Sequence, residues 1–110
     1  PNDQMMDEYG RLADAGAVIV SGSQSHMPMA FNLSADRVIH YGLGNLFFDQ
    51  AYFLPETTEA TIDRYIFYDN RLLGVEIATI KFINLAQNDW MTQEERSDLL
   101  QRIFAETIIQ

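Results

Sequence analysis

Apolar residues recur at helical spacing near both ends of the chain and crowd at strand spacing between them. Met5, Met6, Tyr9, Leu12 and Ala13 make one stripe through residues 3–15, with Asn2 or Asp3 placed to cap its start. Gly16 supplies a helix stop. The unbroken run Ala17-Val18-Ile19-Val20 then predicts a short strand covered on both faces. A helix, a glycine and a buried strand in that order imply an α/β layer.

Ser21-Gly22-Ser23-Gln24-Ser25-His26 follows as a small polar loop at the carboxyl end of that strand, where open α/β sheets tend to hold ligands. Residues 37–41 read as a second strand, and Gly42-Leu43-Gly44-Asn45 as a sharp turn before Leu46-Phe47-Phe48. Residues 51–59 contain Pro55 and no clear period, which predicts a surface loop. Two segments rich in Ile, Val, Thr, Tyr and Phe, 60–68 and 71–83, meet at Asp69-Asn70, a pair suited to a two-residue hairpin turn. Residues 84–89 resemble a linker within the chain. The stretch 92–109 opens with Thr92 and Glu95 in capping-box spacing and places Leu99, Leu100, Ile103, Phe104 and Ile108 on one helical face. The expected order is helix, strand, strand, β-hairpin, helix, an α/β (α+β-like) arrangement forming a single unit over residues 1–110.

Composition narrows the partners. With 110 residues and 47% hydrophobic content, the chain has material for one core. Its net charge of −9, from 16 acidic and 7 basic residues without a Lys/Arg stripe, excludes nucleic acid as an expected partner and disfavours anionic membrane surfaces. A divalent cation is electrostatically tolerable wherever ligands converge. Without cysteine there are no disulfides and no thiolate zinc sites. No run of about 18 apolar residues spans a bilayer, and the start at Pro1 without a leader reads as a piece of a longer protein. Ser21, Ser23 and Ser25 lack the glycine-flanked elbow of a serine hydrolase, and no glycine-rich phosphate loop with a following Lys occurs.

Two blocks carry a family resemblance. Leu12-Ala13-Asp14-Ala15-Gly16-Ala17-Val18-Ile19-Val20-Ser21-Gly22-Ser23 resembles the helix-Gly-Ala-strand-Gly-Ser run of the poly-γ-glutamate capsule synthesis (CapA) family, a branch of the calcineurin-like metallophosphatases. Ile39-His40-Tyr41-Gly42-Leu43-Gly44-Asn45-Leu46-Phe47-Phe48-Asp49-Gln50 resembles that family's Ile-x-Tyr-Ser-Leu-Gly-Asn-Phe-x-Phe-Asp-Gln block. The resemblance implies the C-terminal portion of a two-sheet sandwich flanked by helices, with metal ligands on loops at strand ends. It implies a role in capsule-type polymer synthesis, with a polyanionic polymer or the capsule-synthesis machinery as partner. It also implies an extracytoplasmic location, anchored through a segment outside this chain.

In the family, the first block leads into a His-Pro-His turn whose paired imidazoles can serve two metals that polarise phosphoryl oxygens and activate water. Here Gln24 stands at the first His position and Ser25 at the Pro, while His26 is kept. Met29 and Asn32 fall where the family tends to show Gln and Glu. A neutral carboxamide is a weak transition-metal ligand, so the exchange weakens one metal position or changes its ion. His26 and Gln24 are thus the candidate ligands for divalent metal in the full-length protein, where a metal-dependent hydrolase is one reading. The other is a non-catalytic binding or assembly module with a degenerate site. The chain alone is expected to be inactive, and its unpaired strand edges predict self-association.

Other residues read as structural. His40 is expected to pack or to lie at an edge, Asn45 to bond nearby backbone, and Asp49 to brace the loop after Phe48. Met5, Met6, Phe47, Phe48, Tyr65, Phe67 and Tyr68 are expected to pack as core or cross-strand residues.

Overall fold

A computed structural model describes residues 1–47, 54–83 and 87–110. The first apolar stripe folds as helix α1 (Asp3–Asp14), capped by the Asn2 side chain, which accepts from the Met5 amide. Its far end closes as a Schellman motif: the Gly16 amide donates to Ala13 and the Ala17 amide to Leu12, with Gly16 at φ +108°.

The chain then builds a four-stranded sheet from β1 (Ile19–Ser21), β2 (Phe31–Leu33), β3 (Val38–His40) and β7 (Ile108–Ile109), in the order β1-β3-β2-β7. β1 runs parallel to β3, β3 antiparallel to β2, and β2 parallel to β7. The expected strand over 17–20 is therefore shorter and shifted toward Ser21. It is not covered on both faces: Val18 is 42% exposed and Ser21 is exposed, because β1 pairs only with β3 and forms a sheet edge. The central strand of this half is β3, whose three residues are all buried.

The hairpin forms as read. β4 (Glu59–Tyr68) and β5 (Arg71–Ile83) pair antiparallel, and Asp69 and Asn70 take φ +47° and +57°. Two consecutive residues in that region make the primed turn whose twist matches the flanking strands. β6 (Gln87–Trp90) adds to β5, so the linker expected at 84–89 becomes a strand at Gln87–Asp89, while 84–86 lie outside the described residues. Within the expected surface loop, Pro55–Thr58 form a single 3₁₀ turn that buries Thr57. The segment 48–53, including Phe48, Asp49 and Gln50, lies outside the described residues.

Helix α2 (Gln93–Ala105) starts with the predicted capping box, Thr92 with Glu95, and ends earlier than expected. Ile108 leaves the helix to pair with Asn32 in β2. Of the predicted face, Leu99 and Ile103 are buried whereas Phe104 is 44% exposed.

Two apolar clusters flank the four-stranded sheet. On one side Ala13, Val20, Ile39 and Tyr41 pack with Met5, Met6 and Tyr9 of α1. On the other, Phe31 and Val38 pack with Leu99 and Ile103 of α2 and with Tyr65, Leu72, Val75 and Ile77 of the hairpin. The alternation along β3 decides this: Ile39 faces α1, and its neighbours face the second sheet. The fold is mixed α/β, with two sheets and two helices. Phe47, Phe67 and Tyr68 are not core residues, being 76%, 49% and 74% exposed. The first follows a turn that carries it out of the sheet, and the others sit at the hairpin tip beyond the reach of α2.

Candidate functional site

The loop after β1 puts both candidate ligands at the carboxyl end of a sheet-edge strand. Gln24 is exposed, and His26 is half-buried in the left-handed region at φ +59°. That conformation is costly for a residue with a Cβ and persists only where surrounding contacts hold it. One such contact is known: His26 Nδ1 lies 2.9 Å from Asn45 Oδ1. The amide of buried Asn45 also donates from Nδ2 to the Thr57 carbonyl at 3.3 Å. A carbonyl only accepts, so the amide orientation is set by Thr57 and Oδ1 faces the ring. His26 Nδ1 must therefore be the donor, and in the neutral imidazole the lone pair resides on Nε2. Asn45 does bond backbone as expected, but twelve residues away, and it orients the candidate ligand as well.

Gly44 holds this arrangement together. Its φ is +82°, and a Cβ there would lie 2.4 Å from the Glu59 carbonyl oxygen. Residues 43 and 44 are laced to the start of β4 through the Gly44–Ala60 bridge and the Thr61 amide, which donates to the Leu43 carbonyl at 2.8 Å. Asn45 is thereby carried to the junction between the two sheets.

A second group of polar residues lies at that junction. His40, fully buried, points from β3 toward β4 and lies 2.6 Å from Asp63 Oδ2 through Nδ1. Its ring stacks on Phe31 with centroids 3.8 Å apart. The Tyr65 hydroxyl donates to the same Asp63 oxygen at 2.9 Å, and Ser21 Oγ lies 3.1 Å from the Tyr65 hydroxyl. Because the single Tyr65 proton goes to Asp63, Ser21 is the donor to Tyr65. Burial, opposed by the Ser21 hydrogen bond and reinforced by the Asp63 carboxylate, pushes the Tyr65 phenol up to about 12. A cavity of about 470 Å³ opens beside this line, walled by Ser21, Asn45, Leu46, Ile62, Asp63 and Tyr65 among others.

Sequence reasoning placed His40 and Tyr65 as packing residues and overlooked Asp63. A signal was present: Thr61, Asp63 and Tyr65 share one face of a strand, and a carboxylate between two residues bound for the interior needs a partner. That the partner is His40, from a strand in the other sheet, is written nowhere in the local pattern. Among the described residues, no group of three or more His, Cys, Asp or Glu side chains converges as a metal site, so Gln24 and His26 could supply only part of one.

No curated protein matches the chain. Residues 1–50 match the family described as bacterial capsule synthesis protein PGA_cap. That segment holds α1, three strands of the first sheet, the Gln24–His26 loop and Asn45, so the similarity covers the candidate ligands and the residue that orients His26.

Proposed function

We propose that this chain is the C-terminal part of a poly-γ-glutamate-type capsule synthesis protein with a metallophosphatase-like sandwich, in which His26 and Gln24 contribute to a divalent metal site. The observation that supports it is the bond from His26 to Asn45, with Asn45 tied to the Thr57 carbonyl. Metal-binding histidines are commonly oriented by such an acceptor on the opposite ring nitrogen, which sets the tautomer and the ring plane. His26 would hold the metal through Nε2, and Gln24 would offer a weak carboxamide oxygen or line the rim. The remaining ligands would come from beyond the described residues. A bound divalent metal would act as a Lewis acid toward an acyl or phosphoryl oxygen. His26 supplies the coordinating nitrogen, and Asn45 and Thr57 position it. The polymer or its assembly machinery is the proposed partner, in an extracytoplasmic setting; no helix among the described residues is long and apolar enough to cross a membrane.

A second reading is favoured by Gln24, a poor ligand where an imidazole would be expected: a binding or assembly module that has lost catalytic metal. Elemental analysis of the complete parent protein separates the two. Transition metal that is bound by the parent and falls with His26→Ala supports the metal site. Asn45→Ala should then weaken metal affinity by about 10–100-fold while leaving the ligands themselves in place. Absence of bound metal under saturating conditions overturns the metal reading and leaves the binding module.

A further inference from the structure

The line Ser21–Tyr65–Asp63–His40 is not needed by the reading above, and its hydrogen bonds do not close. Asp63 Oδ2 accepts two bonds, whereas the buried Oδ1 has no partner among the described residues. A carboxylate offers about four lone-pair sites, and leaving one oxygen bare away from water is costly. The side chain is only 3% exposed, yet Asp63 forms part of the cavity wall.

Among the described residues the carboxylate also has no Lys or Arg partner. Arg64 pairs with Glu76, Arg102 with Glu59, Lys81 with Glu95 and Arg37 with Asp14, while Asp63 pairs with His40 alone. Ser21 spends its proton on Tyr65, so its free lone pairs make a second acceptor on the same wall. The rest of the wall is largely aliphatic, from Leu43, Leu46, Ala60 and Ile62. A volume near 470 Å³ suits a small molecule. Among the described residues no third acidic or imidazole side chain joins Asp63 and His40 to make a metal site.

We propose that this cavity binds an aliphatic primary ammonium compound. Its N–H groups donate to Asp63 Oδ1 and Ser21 Oγ, and its methylene chain lies along Leu46 and Ile62. The ammonium supplies the missing donor and a permanent positive charge together. An alcohol of equal length supplies only the first, and a carboxylate supplies neither.

The test uses n-butylammonium, n-butanol and butyrate as probes, with binding followed by calorimetry and by amide chemical shifts. n-Butylammonium is expected to bind about tenfold or more tightly than n-butanol, as a charge-assisted bond to a buried carboxylate requires. Its shifts should centre on Ser21, Leu43, Leu46 and the 60–65 segment, and butyrate should not bind. Asp63→Asn should abolish the preference for the ammonium. Should that variant not fold, Leu46→Trp decides instead, because it fills the cavity without touching the hydrogen-bonded line and should block both the amine and the alcohol. Equal binding of amine and alcohol overturns the proposal, as do shifts scattered over surface carboxylates that Leu46→Trp leaves unchanged. Metal content at His26 is a separate readout, so either proposal can fail without the other.

Discussion

His40 and Asp63 meet at 2.6 Å across the junction of the two sheets, with side chains 0% and 3% exposed. They are the only described pair of buried, oppositely chargeable groups joining the family-matched segment to the hairpin. Removing one partner strands the other in a medium that cannot solvate it. Asp63→Ala should therefore cost about 3–5 kcal/mol, and the double change His40→Phe with Asp63→Val should recover most of that loss. Urea denaturation of the three variants checks both statements. A double variant as unstable as the single one would remove the pair from the account of stability.

Tyr65 should report the same junction by its ionisation. Its phenol is raised in the folded protein from 10.0 to about 12, first by burial. A group whose folded pKa is raised contributes stability in full below its unfolded pKa and loses it as pH rises through the folded one. Stability should thus decline between pH 10 and about 12 through this residue. Ultraviolet titration should show a late phenol that moves higher in Ser21→Ala and lower in Asp63→Asn. A Tyr65 that titrates near its ordinary value of 10.0 would mean that the line is open to water.

Gly44 tests the coupling between the 42–46 turn and the hairpin. Gly44→Ala forces a Cβ to within 2.4 Å of the Glu59 carbonyl at φ +82°. A loss of about 2–3 kcal/mol is expected from strain and displacement together. Because Asn45 follows directly, the amide resonances of His26 and Thr57 should shift as well. A variant of unchanged stability and spectrum would show that the turn tolerates a side chain.

The start of α2 should be acid-sensitive. Hydrogen bonding to Lys81 first, and then to the Thr92 backbone, lowers the Glu95 carboxyl from 4.5 to about 2. A depressed folded pKa contributes stability above the unfolded value and loses it as pH falls through the folded one, so the window runs from pH 4.5 down to about 2. The Glu95 side chain is 40% exposed, and added salt should narrow the effect. Thr92→Ala removes the other half of the box and should cost about 1 kcal/mol. Thermal unfolding across that pH range, with and without the substitution, measures both.

Self-association is expected through the free edge of β1 and the apolar side chains left in water, among them Trp90 at 65% and Ile62 at 43% exposed. Sedimentation over a range of concentrations should show a growing oligomer. A monomer throughout would mean that these edges are guarded.

The elements best read from the chain alone are those whose cause is local. Asn2 caps α1, Thr92 and Glu95 cap α2, and Asp69-Asn70 turns the hairpin, because each depends on backbone groups within four residues. The family resemblance rested on contiguous blocks and was equally legible. β2, β6 and β7 were missed because their pairing partners are distant: Ile108 looks like the last turn of a helix until Asn32 offers it a strand. Phe47 was misread because apolar character does not tell which way a turn releases its side chain.

By itself the sequence determined the two helices, the hairpin with its turn, the polar loop bearing Gln24 and His26, and the family resemblance carried by residues 12–23 and 39–50. These follow from hydrogen bonds and periodicities that close over a few residues. Only the tertiary structure decided that Asn45 orients His26, that His40 is buried rather than edge-exposed, and that Asp63 and Tyr65 complete a polar line beside a cavity. Those residues lie 19, 23 and 44 positions apart where they meet. Only the packing of one sheet against the other brings such groups within hydrogen-bond range.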